Sequence, residues 1–469
     1  MLFAIRNVLQ DGLQPDDYHL SVIEKLTTKI ISSDPAEVED IAQLELLLTD
    51  AFLLLSTHLA AGKTDAETID PQWKASRRTV RLDWKSFIDS TLQSNNITEN
   101  LGNLTPKHRE YINLKKSLLK YCQIEENGGW EIFSTDLPKL EKSMRHPDIA
   151  LLRKRLAITQ GFIEFNPGDE NLFDQLLHDQ VVLFQLRNGL NADGVAGKAT
   201  IEALNISVKD RIATVEANLE RWRWLSDDLG KRYIKVNIAN FELQVIENDK
   251  QVFYSMAIVG RLYRETPVFS SIIKYLVLDP DWTVPPTILN EDIIPAVIKN
   301  PAYLAINNMK VLRNDGTEVD PLTIDWDSVL TTGFPYSIRE EPGPVNPLGR
   351  IKFMFPNQYN VYIHDSPARN LYLQTDRSFS SGCIRISKPL ELGEYLLKDN
   401  PEWVPEQIKN VIDQGMERTV ILEKPIQVHI VYLTAWADDD GIVYFRKDVY
   451  NRDQQLITAL KQAPPGSFQ

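Results

Sequence analysis

At Tyr233 the hydrophobic period of the chain changes. Before this point apolar residues recur at helical spacing; from it, Ile234, Val236 and Ile238 alternate with Lys235 and Asn237, the spacing of a half-buried strand. A chain that switches from a period of about 3.6 to one of about 2 needs a helical part and a β part, which predicts a multidomain α+β fold. Its 469 residues also exceed the size at which one hydrophobic core keeps growing, so about two to four structural units are expected. Hydrophobic residues at 43% and charged residues at 25% are ordinary globular values and exclude collagen-like, disordered and disulfide-scaffold classes. With 65 acidic against 51 basic side chains the formal charge is -14, a field that repels a phosphate backbone, so no nucleic-acid partner is expected.

Residues 1–145 read as a helical scaffold, with Ile41, Leu44, Leu47, Leu48, Ala51 and Leu55 on one helical face. Glu45 and Asp50 interrupt the apolar run Leu44 to Leu59, which therefore reads as a buried helix and not as a membrane span. The opening Met1-Leu2-Phe3-Ala4-Ile5-Arg6-Asn7 has neither a basic leader nor a cleavage site, so no export signal is expected in it. Ser117-Leu118-Leu119-Lys120 has the Ser-x-x-Lys spacing of penicillin-binding enzymes without the motifs that accompany it, and is read as coincidence.

Over 146–207 an amphipathic helix carrying Leu177, Val181, Phe184 and Gln185 leads into a glycine-rich turn with Gly189, Asp193, Gly194 and Gly197, then a second helix through Thr200 and Leu204. A phosphate loop at Gly197-Lys198 is rejected, since Ala192 and Ala199 stand where that motif needs Gly and Ser or Thr. Residues 208–231, with Ile212, Val215, Leu219 and Trp222 on one face, predict a connector helix. A β domain is expected over 232–425, with a hairpin turn at Glu247-Asn248-Asp249-Lys250 and strands near 272–278, 351–355, 360–364 and 419–422. Eleven of the 26 prolines lie between 267 and 347, which suggests an excursion over about 285–344 capping the site. Residues 426–469 are expected to add two strands and a helix packed on this domain.

Chemistry concentrates in Val361-Tyr362-Ile363-His364 and, after 15 intervening residues, Ser380-Ser381-Gly382-Cys383-Ile384-Arg385. A thiol attacks carbonyls as thiolate, and an adjacent imidazole can take its proton, so Cys383 is the candidate nucleophile and His364 the candidate acid/base. Neighbouring strands lie about 5 Å apart, close enough to bring the two together. Gly382 lets the backbone approach a substrate, and amides around Gly382 and Cys383 are candidates for an oxyanion hole. Arg385 reads equally as a salt-bridge residue or as a clamp for a substrate carboxylate; Tyr362, on the face of His364, reads equally as packing or as substrate contact. Cys122 lies in a helical run and reads as a small buried hydrophobe. The remaining histidines show no ligand spacing, so neither metal nor other cofactor is assigned.

These residues resemble the L,D-transpeptidase family with its YkuD-type catalytic domain, whose motif runs His, 14 to 17 residues, Ser or Thr, His, Gly, Cys, an apolar residue and Asn or Arg. Ser381 stands here in place of the motif histidine and Arg385 in place of asparagine. Both departures resemble the large, YcbB-like periplasmic branch, as do Val259-Gly260-Arg261 with Thr266-Pro267, Trp282-Thr283-Val284-Pro285, and Pro342-Gly343-Pro344 with Asn346-Pro347-Leu348-Gly349. The stretch through Phe184, Gln185, Gly189, Asp193, Gly194, Gly197 and Thr200 is similar to the small helical peptidoglycan-binding module.

The resemblance implies a β-rich catalytic domain with a capping subdomain, a helical scaffold and that binding module. It implies that Cys383 attacks the bond after meso-diaminopimelate in a tetrapeptide stem, releasing D-Ala, and that an acceptor stem resolves the thioester into a 3-3 cross-link. Ser380, Ser381, Tyr362 and Arg385 join the site by the same implication. So do carbapenems as covalent inhibitors, other cell-wall synthases as partners, a Gram-negative periplasmic location, and a membrane anchor lying ahead of Met1. Two other readings compete: a cysteine peptidase or amidase acting on wall peptides, whose usual order places Cys before His, and a non-catalytic peptidoglycan-binding scaffold.

Overall fold

The computed structural model describes residues 1–75, 78, 83–94, 96–160 and 169–464; residues 161–168 of the expected binding module lie outside this set. The chain divides into two compact units, one of residues 1–228 with 432–469, the other of 229–431.

In the first unit the early helices pack Ile5, Tyr18, Ala51, Leu55 and Leu59 into one apolar cluster. Helix Val38–Ala61 buries Leu47, Ala51, Leu55 and Leu59 yet leaves Leu46 at 72% exposure. The buried helix expected here is thus buried along one stripe, and by length and composition it is apolar enough to cross a membrane. A second cluster joins Leu152 and Leu156 of helix Pro147–Gln160 to Phe173 and to Leu177, Val181 and Phe184, the apolar face of helix Gln175–Arg187. Helix Lys198–Leu204 closes this cluster with Ala203 and Leu204.

Two expectations are corrected in this unit. Helix Val208–Trp224, predicted as a connector, is enclosed on almost every side: Glu220, Arg221, Trp222, Arg223 and Trp224 are all buried. Its charges hide this from a periodicity argument, and three of the buried ones are neutralised by pairing. Arg223 pairs with Glu220 at 2.7 Å and Arg221 with Asp453 at 2.6 Å. The second correction concerns the tail. Residues 426–431 finish a long strand of the second unit, whereas 432 onward belong to the first. There Thr434 exchanges hydrogen bonds with Asn218 at 2.8 and 2.9 Å. Hairpin strands Ala435–Ala437 and Val443–Phe445 and helix Asp453–Leu460 follow.

The second unit is β-rich. Its strands are β1 (Arg232–Asn237), β2 (Glu242–Glu247), β3 (Lys250–Gly260), β4 (Phe269–Leu278), β5 (Trp282–Thr283), β6 (Met309–Leu312), β7 (Glu318–Val319), β8 (Ser337–Glu340), β9 (Ile351–Met354), β10 (Ile363–His364), β11 (Ser378–Ser380), β12 (Ile384–Ile386) and β13 (Arg418–Val431). Among the described residues, nine of them form one mixed sheet in the order β11-β3-β12-β10-β9-β4-β13-β1-β2, and β2 also pairs with β3, so the sheet curls back on itself. The β2–β3 turn falls where the sequence puts it, with Asn248 and Asp249 at φ 51° and 62°, the left-handed pair a tight hairpin requires. Pro425 lies inside β13 at an interruption of its pairing with β4 between Ile421 and Ile426, where a residue without an N–H does least harm.

The proline-rich excursion is a substructure of its own. Strands β5, β8, β6 and β7 form a second sheet, packed with short helices around Ile293, Ile294, Val297, Val311 and Ile338. It begins at Trp282, slightly earlier than the predicted start near 285, because β5 pairs with β8 through Trp282 and Glu340.

Candidate active site

Three adjacent strands assemble the site. Strand β10 lies between β9, which it pairs antiparallel, and β12, which it pairs parallel, so Lys352, His364 and Arg385 are side by side in register. Registered neighbours share a face of the sheet, and so do residues two apart along a strand. The bond from Ile384 N–H to the Tyr362 carbonyl, 3.0 Å, extends the ladder one step further. Tyr362 and Cys383 thereby join the same face as His364 and Arg385. The opposite face carries Ile351, Phe353, Ile363 and Ile384, none of them exposed.

The turn before Cys383 is held by hydrogen bonds that leave little freedom. Ser380, buried, donates its hydroxyl to the Cys383 carbonyl at 2.6 Å and accepts from the Gly382 amide at 3.1 Å. Thr266 donates to the Gly382 carbonyl at 2.8 Å while accepting from the Gly260 amide at 2.9 Å, which ties the turn to the end of β3. A Cβ on Gly260 would meet the Arg264 carbonyl at 2.1 Å, so only glycine fits there. Gly382 adopts φ 111°, a conformation closed to most side chains. Two expectations change with this geometry. Ser380 closes the turn and offers no free hydroxyl to a substrate, and Gly382 supplies its conformation, its amide being engaged. Ser381 accepts from Arg264 at 2.9 Å and from Arg261 at 3.4 Å, and Arg264 is itself paired with Glu291 and Asp292 of the excursion.

The thiol of Cys383 lies 3.7 Å from the carbonyl oxygen of Asn360, a residue turned into the left-handed region at φ 54°. Burial raises the thiol pKa; the Tyr362 amide and hydroxyl, then the charges of Lys352 and Arg385, oppose that rise. The ring of Tyr362 stands 5.4 Å from that of His364 and carries the Lys352 ammonium 4.0 Å above its face. His364 is 3% exposed and its Nδ1 has no hydrogen-bond partner among the described residues. Burial, reinforced by the Arg385 charge, lowers its pKa to about 3, so it is a neutral imidazole able to receive a proton. Asp365 fixes the end of β10 by accepting from the Arg350 and Ser366 amides at 2.8 and 2.6 Å and from Arg369 at 2.5 Å.

Arg385 forms no ion pair among the described residues, and its Nε is buried without a partner. Of its two sequence readings the salt bridge is not formed, and its guanidinium is available beside the thiol. Lys352 carries no signal in the sequence, since a lone lysine alternating with Ile351 and Phe353 looks like any solvent-facing strand position; only the register with His364 reveals it. Among the described residues no group of three or more His, Cys, Asp or Glu side chains is placed to hold a metal.

The binding-module residues are mostly inward-facing. Gln185 donates to Asp193, Val195 and Thr200 at 2.9, 3.0 and 3.1 Å and accepts from the Gly194 amide at 2.8 Å. Gly194, at φ 72°, abuts the His178 ring, and Gly189, at φ 64°, abuts Arg446. Gly197 caps helix Lys198–Leu204. This signature holds the module's turn together, and Phe184 alone among its side chains lines an open cavity.

Comparison with known families matches three segments: a scaffold domain over 1–118, a "Putative peptidoglycan binding domain" over 145–204 and an L,D-transpeptidase catalytic domain over 231–414. A Haemophilus influenzae protein named "Putative L,D-transpeptidase" is 34% identical over 226 residues, which is 48% of this chain and 45% of that protein. The chain thus spans about half the length of this curated relative. Among solved structures, an L,D-transpeptidase from Xylanimonas cellulosilytica is 14% identical, covering 64% of this chain and all 100% of its own, with a TM-score of 0.20. One from Stackebrandtia nassauensis is 13% identical, with coverages of 64% and 97% and a TM-score of 0.23.

Proposed function

Taking as premise that this chain carries an L,D-transpeptidase catalytic domain, we propose that it forms 3-3 cross-links between peptidoglycan stem peptides through a thioester on Cys383. The observation that carries the reading is the register of β9, β10 and β12, which sets Cys383, His364, Arg385, Tyr362 and Lys352 on one face.

The Cys383 sulfur attacks the carbonyl of meso-diaminopimelate in a tetrapeptide stem; the S–C bond forms and the C–N bond to D-Ala breaks. His364, neutral at physiological pH, takes the thiol proton and returns it to the departing amine. The side-chain amine of a second stem then attacks the thioester, its N–C bond replaces S–C, and its proton passes back through His364 to the sulfur. Lys352 and Arg385 favour the thiolate by charge, Tyr362 by hydrogen bonding, and the unpaired Arg385 holds a substrate carboxylate. In the resting structure the thiol faces the Asn360 carbonyl and no hydrogen bond among the described residues joins it to His364; the transfer line closes when a substrate displaces that contact. The reaction belongs in the periplasm of a Gram-negative cell, where stem peptides lie. Carbapenems, whose strained carbonyl presents the same electrophile, acylate the same sulfur.

Intact-protein mass spectrometry after exposure to a carbapenem, and separately to a diaminopimelate tetrapeptide, tests the reading. Native protein is expected to gain the acyl mass and to yield a 3-3 dimer, and folded Cys383→Ala to do neither. A native protein that forms no adduct and no dimer while retaining wall binding would instead be a peptidoglycan-binding scaffold.

A further inference from the structure

In the first unit a cavity of about 430 Å³ opens between helix Arg109–Glu126, the binding module and the hairpin of 435–445. Three guanidinium groups face it: Arg155, Arg187 and Arg211. Among the described residues none of the three is in an ion pair. Arg155 is 5% exposed; its Nε and Nη2 donate to the Leu204 carbonyl at 3.0 and 2.6 Å, and its Nη1 is buried with no partner. Its plane lies over the Trp130 ring at 4.0 Å, and that of Arg211 over Phe445 at 4.2 Å. Arg211 donates to Asn188 and to the Ala203 carbonyl, both neutral acceptors.

Two buried like charges without a counter-ion are costly to keep. Burial lowers both guanidinium pKa values to about 10, with Arg211 adding to the effect on Arg155. Such an arrangement is stabilised by whatever anion enters it, and the stacked rings pre-orient the forks for planar, bidentate recognition.

We propose that this cavity binds a carboxylate-bearing peptide of the cell wall, its carboxylate held by Arg155 with Arg211 and Arg187, as a contact separate from the catalytic site. The lining selects among anions. Tyr121, Ile158 and Phe184 offer apolar surface to an aliphatic side chain, and Asn127, Asn188 and Gln160 offer amide partners to a peptide backbone. Asp440, exposed on the rim, suits the free amine of a diamino acid and opposes a dianionic phosphate. The proposal rests on the peptidoglycan reading above and deepens it: the module's sequence signature shapes the turn, and the ligand contact falls to arginines outside that signature.

The test uses the full chain with its catalytic thiol already acylated by a carbapenem, so that the catalytic cleft is occupied. A diaminopimelate tetrapeptide, the same peptide with its carboxylates amidated, and inorganic phosphate are titrated separately by calorimetry, and the Trp130 indole is followed by NMR on nitrogen-labelled tryptophan. The free-acid peptide is expected to bind and to move the Trp130 signal. Amidation, or Arg187→Gln at the rim where folding is little at risk, should weaken binding about tenfold or more; Arg155→Gln should abolish it. Arg187→Gln should acylate with carbapenem at the native rate. Binding unaffected by amidation and by Arg187→Gln overturns the proposal, as does phosphate competing as well as the peptide. Failure of the native protein to acylate would count against the transpeptidase reading alone, and the titrations would then be run on unacylated protein.

Discussion

His364 is held neutral by its surroundings, which fixes how the reaction should respond to pH. An ordinary histidine loses its competence as a base below about pH 6.5. Here burial and the Arg385 charge move that limit to about 3, while the thiol pKa is raised. The reactive pair, neutral imidazole with thiol, therefore persists across the whole neutral range. Carbapenem acylation followed by stopped flow should change by less than about twofold between pH 5.5 and 7.5, with no step in the usual histidine range; a step there would mean that His364 is solvated and charged in the working enzyme. At this scale a reading of the sequence singles out Cys383, His364 and Arg385, because a thiol, an imidazole and a cation near a glycine turn are chemically conspicuous, and the strand register brings His364 and Arg385 side by side. The sequence conceals that Lys352 lies beside His364 and that the Ser380 hydroxyl closes a turn, because these placements depend on register and on hydrogen bonds within the turn.

Elements were legible where local physics decides them. The alternation from Tyr233 onward, the hairpin at Asn248-Asp249 and the proline-rich excursion each needed only a short stretch of chain to be read. The hairpin turn gives a measurable consequence. Asp249 adopts φ 62°, which glycine adopts at less cost, so Asp249→Gly should stabilise the second unit by about 0.5 kcal/mol in urea unfolding; a loss of stability would indicate that the Asp249 side chain contributes more than its backbone costs. Elements were illegible where burial is decided at long range. Helix Val208–Trp224 carries seven charged residues, Glu216, Glu220, Arg221 and Arg223 among them, and no amphipathic count marks it as a core helix. Its enclosure depends on Asp453, more than 200 positions later in the chain.

That dependence sets a prediction for the whole molecule. Arg221 is 1% exposed and pairs with Asp453, which also accepts from Thr434. Asp453→Ala leaves a buried guanidinium without its counter-charge and should cost about 3–5 kcal/mol. Measured by chemical denaturation, the loss should fall on the transition of the helical unit, with that of the 229–431 unit unmoved; a common shift of both would show that the two unfold together.

The chain's excursion from one unit into the other and back also has a consequence for how the protein is made. A ribosome completes residues 229–431 before it has synthesised Thr434 or Asp453, so the catalytic unit has all its strands while the helical unit still lacks the partners of Asn218 and Arg221. The unit that begins earlier in the chain is thus the later of the two to close, and until Thr434 and Asp453 emerge its central helix carries two side chains waiting for their complements.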